Sequence, residues 1–539
     1  MVGDKAIQRP MWVCITRRAH TGGVQLGSIT RENYATRENY ANSAILALLF
    51  AFSLIPVLSV DMPAMNDYPN HLARMYLLTT PTVNPFYQIN WKLNPYIAMD
   101  LIIPQLAHIM SVGTATKLFY IASQCLIFTG AIAAEYAMKR QHQLAGYTAV
   151  AMLYCAPFTL GLLNFEFGLG LALWGFACWL FVQYRTWIVR LVCHSIFVVT
   201  LFLSHFFALG IYGVTAGLYE LWRIHSQGWR ITRLVQMGLM LATPAVIMLA
   251  LMWLSGASIG GSVFEWSLRW KLLSLPMVMS TYSLPLSGLC LVAFIIVWLI
   301  LRYKNAVVFL PSGKWIAAGY LLLYLVMPWR LFDSTYMELR IIVAAILFLP
   351  ACISFVPKKN WQFYFAAFGM TFVAIALTSK TFFEWQAYQP DYAKIKLSFG
   401  YIHPNSRILI GDSWNGGSRS GGPMYLAPTL AVYYAGALVP SFFTWPASQD
   451  VGLKQEFRRF AVTDGFQYRP VPVDELIAIA EGSLTSASPP FARHWVSDFD
   501  YLYIVGRQIS NPMPDLLEEL ISSERFALYR IRKQSDVMN

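Results

Sequence analysis

A chain of 539 residues with 57% hydrophobic and only 13% charged residues is too apolar for a soluble enzyme of ordinary composition, and its mean hydropathy of +0.48 agrees. The net charge of +12 would suggest nucleic acid in a soluble protein. Here the basic residues concentrate in short connections between apolar runs, where they set membrane orientation, so nucleic acid is not an expected partner. The seven cysteines (Cys14, Cys125, Cys155, Cys178, Cys193, Cys290 and Cys352) lie in the N-terminal tail or in apolar runs, which excludes a disulfide framework or a zinc motif in the C-terminal region.

Residues 1–42 are polar, carry Arg17, Arg18, Arg31 and Arg37, and contain the tandem repeat RENYAT-RENYA. No short apolar core precedes a small-residue cleavage site, so this segment reads as a cytoplasmic tail and not as a signal peptide. Apolar runs follow at about 43–60, 115–137, 144–163, 165–183, 187–204, 206–221, 235–254, 286–302, 315–329, 341–356 and 361–378. They predict an α-helical polytopic membrane protein with roughly eleven spans. Every even-numbered connection is basic: Lys139 and Arg140; Arg185 and Arg190; Arg223, Arg230 and Arg233; Arg302, Lys304 and Lys314; Lys358 and Lys359. The positive-inside rule then puts the N-terminus in the cytoplasm and residues 379–539 in the periplasm, with the spans in a bacterial inner membrane.

A further apolar stretch at about 98–112 lies inside the first outer loop, 61–114. Counting it as a span would invert every later connection, so it is expected to lie along the outer interface. Beyond residue 378 the pattern changes to strand-like runs at Arg407–Ile410, Tyr501–Val505 and Phe526–Ile531. A helix-like stretch at Asp515–Ser522 and turns such as Trp414-Asn415-Gly416-Gly417-Ser418 accompany them. These predict a small extracytoplasmic α/β domain over 379–539.

Under this topology the outer face gathers Asp61, Asp67, His71, Arg74, Asp100, Glu166, His205, Glu265, Arg269, Lys271, Arg330, Asp333, Glu338 and Arg340. The densest segment runs from Asp61 to Arg74. Pro69 suits a first helical turn, which places His71 and Arg74 on one face with Asp67 at the helix mouth. A carboxylate, an imidazole and a guanidinium in two turns can supply a general base and a cationic hold for phosphate. The same spacing also fits a capped helix with His71 and Arg74 in solvent or at lipid headgroups.

The context Asp67-x-Pro69-x-His71-x-x-Arg74, shortly after the first span, resembles the GT-C superfamily of membrane glycosyltransferases. These are the polyprenyl-phosphate-sugar-dependent enzymes related to protein mannosyltransferases and to the aminoarabinose and galacturonic-acid transferases of lipopolysaccharide. Asn164-Phe165-Glu166-Phe167-Gly168-Leu169-Gly170, Leu203-Ser204-His205-Phe206-Phe207 and Glu338-Leu339-Arg340 resemble stretches of its bacterial members. The chain departs from the mannosyltransferase pattern in having no second acid beside Asp67; Asp61 and Asp100 are the additional candidates.

The resemblance implies a transferase at the outer face, with Asp67 taking the proton of an acceptor hydroxyl and the configuration inverted. Arg74, Arg269, Lys271, Arg330 and Arg340 are candidate cations for the leaving lipid phosphate, with His71 or His205 as hydrogen-bond donors. The expected partners are a polyprenyl-phosphate-linked sugar, a glycan or lipid acceptor of the envelope such as lipopolysaccharide, and membrane lipid; no cofactor or metal is expected. A transporter or scaffold handling a lipid-linked glycan is the competing expectation. It fits less well, because no internal repeat is visible and the polar residues collect at one face.

Overall fold

The computed structural model describes residues 42–80, 84–257, 263–280, 282–332, 334–414, 422–444, 450–462, 470–483 and 488–533. The N-terminal repeat, Asp333 and Asn415 with the glycines after it lie outside the described residues. Helices dominate: α1 (Asn42–Leu58), α2 (Tyr68–Thr79), α3 (Ala98–Leu106), α4 (Val112–Lys139), α5 (Ala145–Met152), α6 (Ala156–Thr159), α7 (Leu163–Phe181) and α8 (Trp187–Ser204). They continue with α9 (Phe206–Ser226), α10 (Ile231–Leu254), α11 (Leu268–Met277), α12 (Leu284–Tyr303), α13 (Pro311–Val326), α14 (Met337–Cys352), α15 (Asn360–Ser398) and α16 (Val473–Ala480).

Among the described residues, α4, α7, α8, α10, α12 and α15 are long and apolar enough to cross a membrane. The other expected spans are α1, the α5–α6 pair, α9, α13 and α14. The chain is a polytopic, α-helical membrane protein. At nine residues, or about 14 Å, α3 is too short to cross about 30 Å of hydrocarbon.

Small ladders join the connections. Strand β1 (Tyr87–Ile89) of the first outer loop pairs with β7 (Val451–Leu453), which lies beyond the last span. Strand β2 (Phe264–Glu265) pairs with β4 (Arg330–Leu331), and β3 (Val307–Phe309) with β5 (Ile353–Phe355). Lys139, at the end of α4, donates to the carbonyls of Pro350 and Ile353 at 2.9 and 2.8 Å. Connections that the Lys/Arg pattern assigns to one face are therefore neighbours in space, and so are those it assigns to the other.

Several expectations are corrected. The run 144–163 is not one helix: Pro157 lacks an N–H, Cys155 is extended, and the Ala156 N–H donates instead to Val278 O at 2.9 Å, so α5 and α6 are separate. The boundary expected at 378 falls inside α15, whose 39 residues reach about 58 Å and carry an ion pair between Lys380 and Glu384 beyond it. Helix α11 was not expected. The helix-like stretch 515–522 contains strand β10 (Leu517–Ser522), because its backbone bonds to β11 (Phe526–Ile531) in an antiparallel ladder with Glu518 opposite Arg530. With β6 (Ile408–Asp412), β8 (Val471–Pro472) and β9 (Tyr501–Val505) these strands form one sheet in the order β10-β11-β9-β6-β8, parallel at β9-β6-β8.

Candidate functional site

The loop that carries Asp67 is pinned before the helix begins. Gln389 of α15 donates to Met62 O at 2.9 Å, and Tyr282, itself held by Trp385 Nε1, donates to Ala64 O at 2.9 Å. Asp67 then occupies the N-cap position of α2, with Pro69 in the first turn, as the sequence suggests. Its carboxylate does not cap. Asn66 Nδ2 donates to Oδ1 at 3.1 Å, and the Asp67 N–H donates to Leu160 O at 3.0 Å. Gly161 sits directly against this turn at φ +92, and a Cβ there would stand 3.3 Å from the backbone nitrogens of Asp67 and Tyr68.

His71 closes the same contact, its Nε2 lying 3.1 Å from Gly161 O. That bond fixes the hydrogen on Nε2 and makes the imidazole a structural pin. Burial, reinforced by the charge of Arg74, pushes its pKa down to about 3, so the ring is neutral. Arg74, one turn further on, ion-pairs with Asp100 of α3 at 2.7 Å, both side chains 2% exposed. His71, expected as a phosphate donor, is thus engaged with Gly161, and Arg74 and Asp100, expected as phosphate cation and second acid, are engaged with each other between α2 and α3.

This pair makes a stability prediction. Arg74→Met alone leaves the Asp100 carboxylate buried without its cation and is expected to cost about 3–5 kcal/mol. Adding Asp100→Leu should restore most of that loss, as thermal melts of the purified protein would read. A single variant as stable as the parent would refute the pairing.

Arg340 stands in the first turn of α14 and is 4% exposed. Its guanidinium lies over the Phe165 ring at 5.3 Å, and Nη1 is 3.0 Å from His205 Nε2. His205 is the N-cap of α9, where the Phe207 N–H donates to Nδ1 at 3.1 Å. Gly168 lets this turn sit on α7, since a Cβ there would meet Ala208 Cβ at 2.8 Å. Tyr96 and Phe165 pack edge-on to the imidazole.

The imidazole cannot satisfy both of its neighbours. If Nδ1 accepts from Phe207, the neutral ring carries its hydrogen on Nε2 and faces the Arg340 N–H donor against donor. The other tautomer moves the same conflict to Phe207. An anionic oxygen at the Arg340–His205 contact would accept from both. No carboxylate comes within ion-pair distance of Arg340 among the described residues, and its Nε is buried without a partner. Asp67 lies within electrostatic reach of Arg340: burial raises its carboxyl pKa to about 7, against the opposing pull of the Asn66 hydrogen bond and the Arg340 charge.

The structure therefore places Arg340 against His205 and within electrostatic reach of Asp67. Lys271 of α11 is committed to Glu338 at 3.3 Å and to the carbonyls of Tyr324 and Met327. Arg269 and Asp61 are exposed, the latter with its N–H on Gln389, and Arg330 is half-buried on β4 opposite Glu265. Glu166 has no basic partner among the described residues. Its carboxylate, the Tyr120 hydroxyl and the Gln124 amide are buried without partners. Asn66, Tyr96 and Gly161 belong to the site and carried no signal in the sequence beyond proximity to quoted motifs.

No family model matches the chain, and no curated protein matches it. Among solved structures the chain is similar to the crystal structure of ArnT from Cupriavidus metallidurans in the apo state, with a TM-score of 0.51 at 12% identity, covering 91% of this chain and 98% of that one. A crystal structure of the same ArnT bound to undecaprenyl phosphate aligns at a TM-score of 0.48 and 11% identity, covering 91% and 99%. The fold is thus that of a polytopic membrane protein. Within that fold, the apo ArnT structure is a likeness over nearly the whole length of both chains.

Proposed function

We propose that the chain is an inverting glycosyltransferase that moves a sugar from a polyprenyl-phosphate donor to a glycan or lipid acceptor of the envelope, at the outer face of the inner membrane. In this reading the N-terminus is cytoplasmic and the C-terminal domain periplasmic. The observation that carries it is the buried Arg340 guanidinium, unpaired by any carboxylate among the described residues, placed against His205 and within electrostatic reach of Asp67. Such a cation is suited to a phosphate that gains charge as it leaves.

The acceptor oxygen attacks the anomeric carbon opposite the phosphate, the C–O bond to phosphate breaks with its electron pair on the phosphate oxygen, and the acceptor proton passes to Asp67. A lipid-linked donor suits a compartment that nucleotide sugars do not reach. The ArnT likeness supports the scaffold for this chemistry and leaves sugar and acceptor open.

The test is sugar transfer from a panel of polyprenyl-phosphate sugars, in membranes holding the intact protein or its Asp67→Asn variant. Transfer by the parent and its loss in the variant support the reading; no transfer from any donor would favour a transporter or scaffold. Among the described residues no group of three or more His, Cys, Asp or Glu side chains is placed to hold a metal. Transfer is accordingly expected to survive EDTA, and activity lost to chelation and restored by a divalent cation would overturn that expectation.

A further inference from the structure

The C-terminal sheet has a topological switch point. After β6 the chain leaves toward β8 on one side, and after β9 it leaves toward β10 and β11 on the other. Strands β6 and β9 are parallel neighbours, so their carboxyl ends lie side by side at the edge where open α/β sheets bind ligands. The residues there are specific. Ser413 Oγ donates to Arg507 O at 2.6 Å, its N–H donates to Val505 O at 2.9 Å, and the Trp414 N–H donates to Asp412 Oδ1 at 2.8 Å. Gly506 lies at φ +119, and a Cβ there would strike Ser413 Oγ at 2.9 Å, so the two strand-end turns are locked together.

On this rigid base Trp414 stays 47% exposed, and the Arg507 guanidinium lies over its ring at 5.0 Å. Trp495, the other described tryptophan beyond α15, is fully buried. Arg507 is exposed and has no ion-pair partner among the described residues. An indole held in water offers a flat apolar face, which suits the C–H face of a pyranose ring. The guanidinium stacked on one face of the ring leaves the other face for the sugar and supplies, at the ring edge, a planar fork for two oxygens of a phosphate or carboxylate. We infer that the carboxyl edge of β6 and β9 is a second binding site, which takes an anionic sugar by stacking on Trp414 and pairing with Arg507. Read with the transferase function, on which this assignment of role rests, it is a subsite for an acidic acceptor glycan.

Binding can be read without catalysis. The full chain in nanodiscs, carrying Arg340→Gln so that the first phosphate site is disabled, is titrated with glucose 6-phosphate by saturation-transfer NMR. Glucose and inorganic phosphate serve as separate probes. The expected result is saturable binding of the sugar phosphate at least tenfold tighter than either component. It should weaken at least tenfold in Trp414→Ala and in Arg507→Gln and be retained in Trp414→Phe, which also controls for folding. Unchanged binding in Trp414→Ala would overturn the site, and so would inorganic phosphate binding as tightly as the sugar phosphate. Because the readout is binding, its failure leaves the transferase reading standing, and failure of transfer leaves the sugar site standing.

Discussion

Replacing Asp67 with Asn is expected to lower transfer by about 10²–10⁴-fold without disturbing the fold. The amide oxygen can still accept from Asn66, and no capping bond is lost because the carboxylate makes none. What disappears is the capacity to take a proton. The pH dependence gives an independent check. Loss of hydration pushes the Asp67 pKa up to about 7, against the pull of the Asn66 hydrogen bond and the charge of Arg340. A general base acts when unprotonated, so kcat/KM should rise with pH through about 7 and level off above it.

His71 does not blur this limb, since it stays neutral down to about 3. Stability runs the other way. A carboxyl whose folded pKa exceeds its ordinary 3.8 binds its proton more tightly in the folded state, so its contribution to stability falls as pH rises from that value toward about 7. Activity and stability should therefore move in opposite directions over one pH window. A rate that falls across that window, or one retained in Asp67→Asn, would remove Asp67 as the base.

The membrane plan was legible because two independent signals, apolar length and basic connections, act locally along the chain and agree. Placing Asp67 at the mouth of α2 was legible for the same reason, since Pro69 marks a first turn. The pairings were not. Arg74 meets Asp100 and Lys271 meets Glu338 across helices that only packing brings together, and nothing in either local segment names its partner. The sequence reading treated the outer-face cations as equivalent. Packing neutralises Arg74 and Lys271, leaves Arg269 exposed and Arg330 half-buried, and buries Arg340 without a carboxylate among the described residues. The strand β10 was misread because Leu and Glu in succession favour a helix when taken alone, whereas β11 supplies a ladder that outweighs that preference.

Arg340→Gln is expected to reduce transfer by about 10²–10³-fold, the size typical of losing one group that stabilises developing charge. The same substitution should leave the ligand-free protein as stable as before or more so. A buried cation without a carboxylate costs several kcal/mol even after relaxation, while a desolvated contact with the Phe165 ring returns about 2 kcal/mol or somewhat more. Removing the charge therefore gains more than removing the ring contact loses. A guanidinium with a purely structural role predicts the reverse, with stability falling and activity following it. Thermal melts alongside transfer rates separate the two.

Arg340→Lys keeps the charge but replaces a planar fork with a single ammonium, so partial activity is expected. The residual activity of Arg340→Gln carries one more consequence. Because Arg340 lowers the Asp67 pKa, its removal should move the rising limb of the pH profile above about 7. An unmoved limb would mean that the two side chains do not share a site. A shifted limb, with stability preserved, would tie the base and the phosphate cation to one reaction centre.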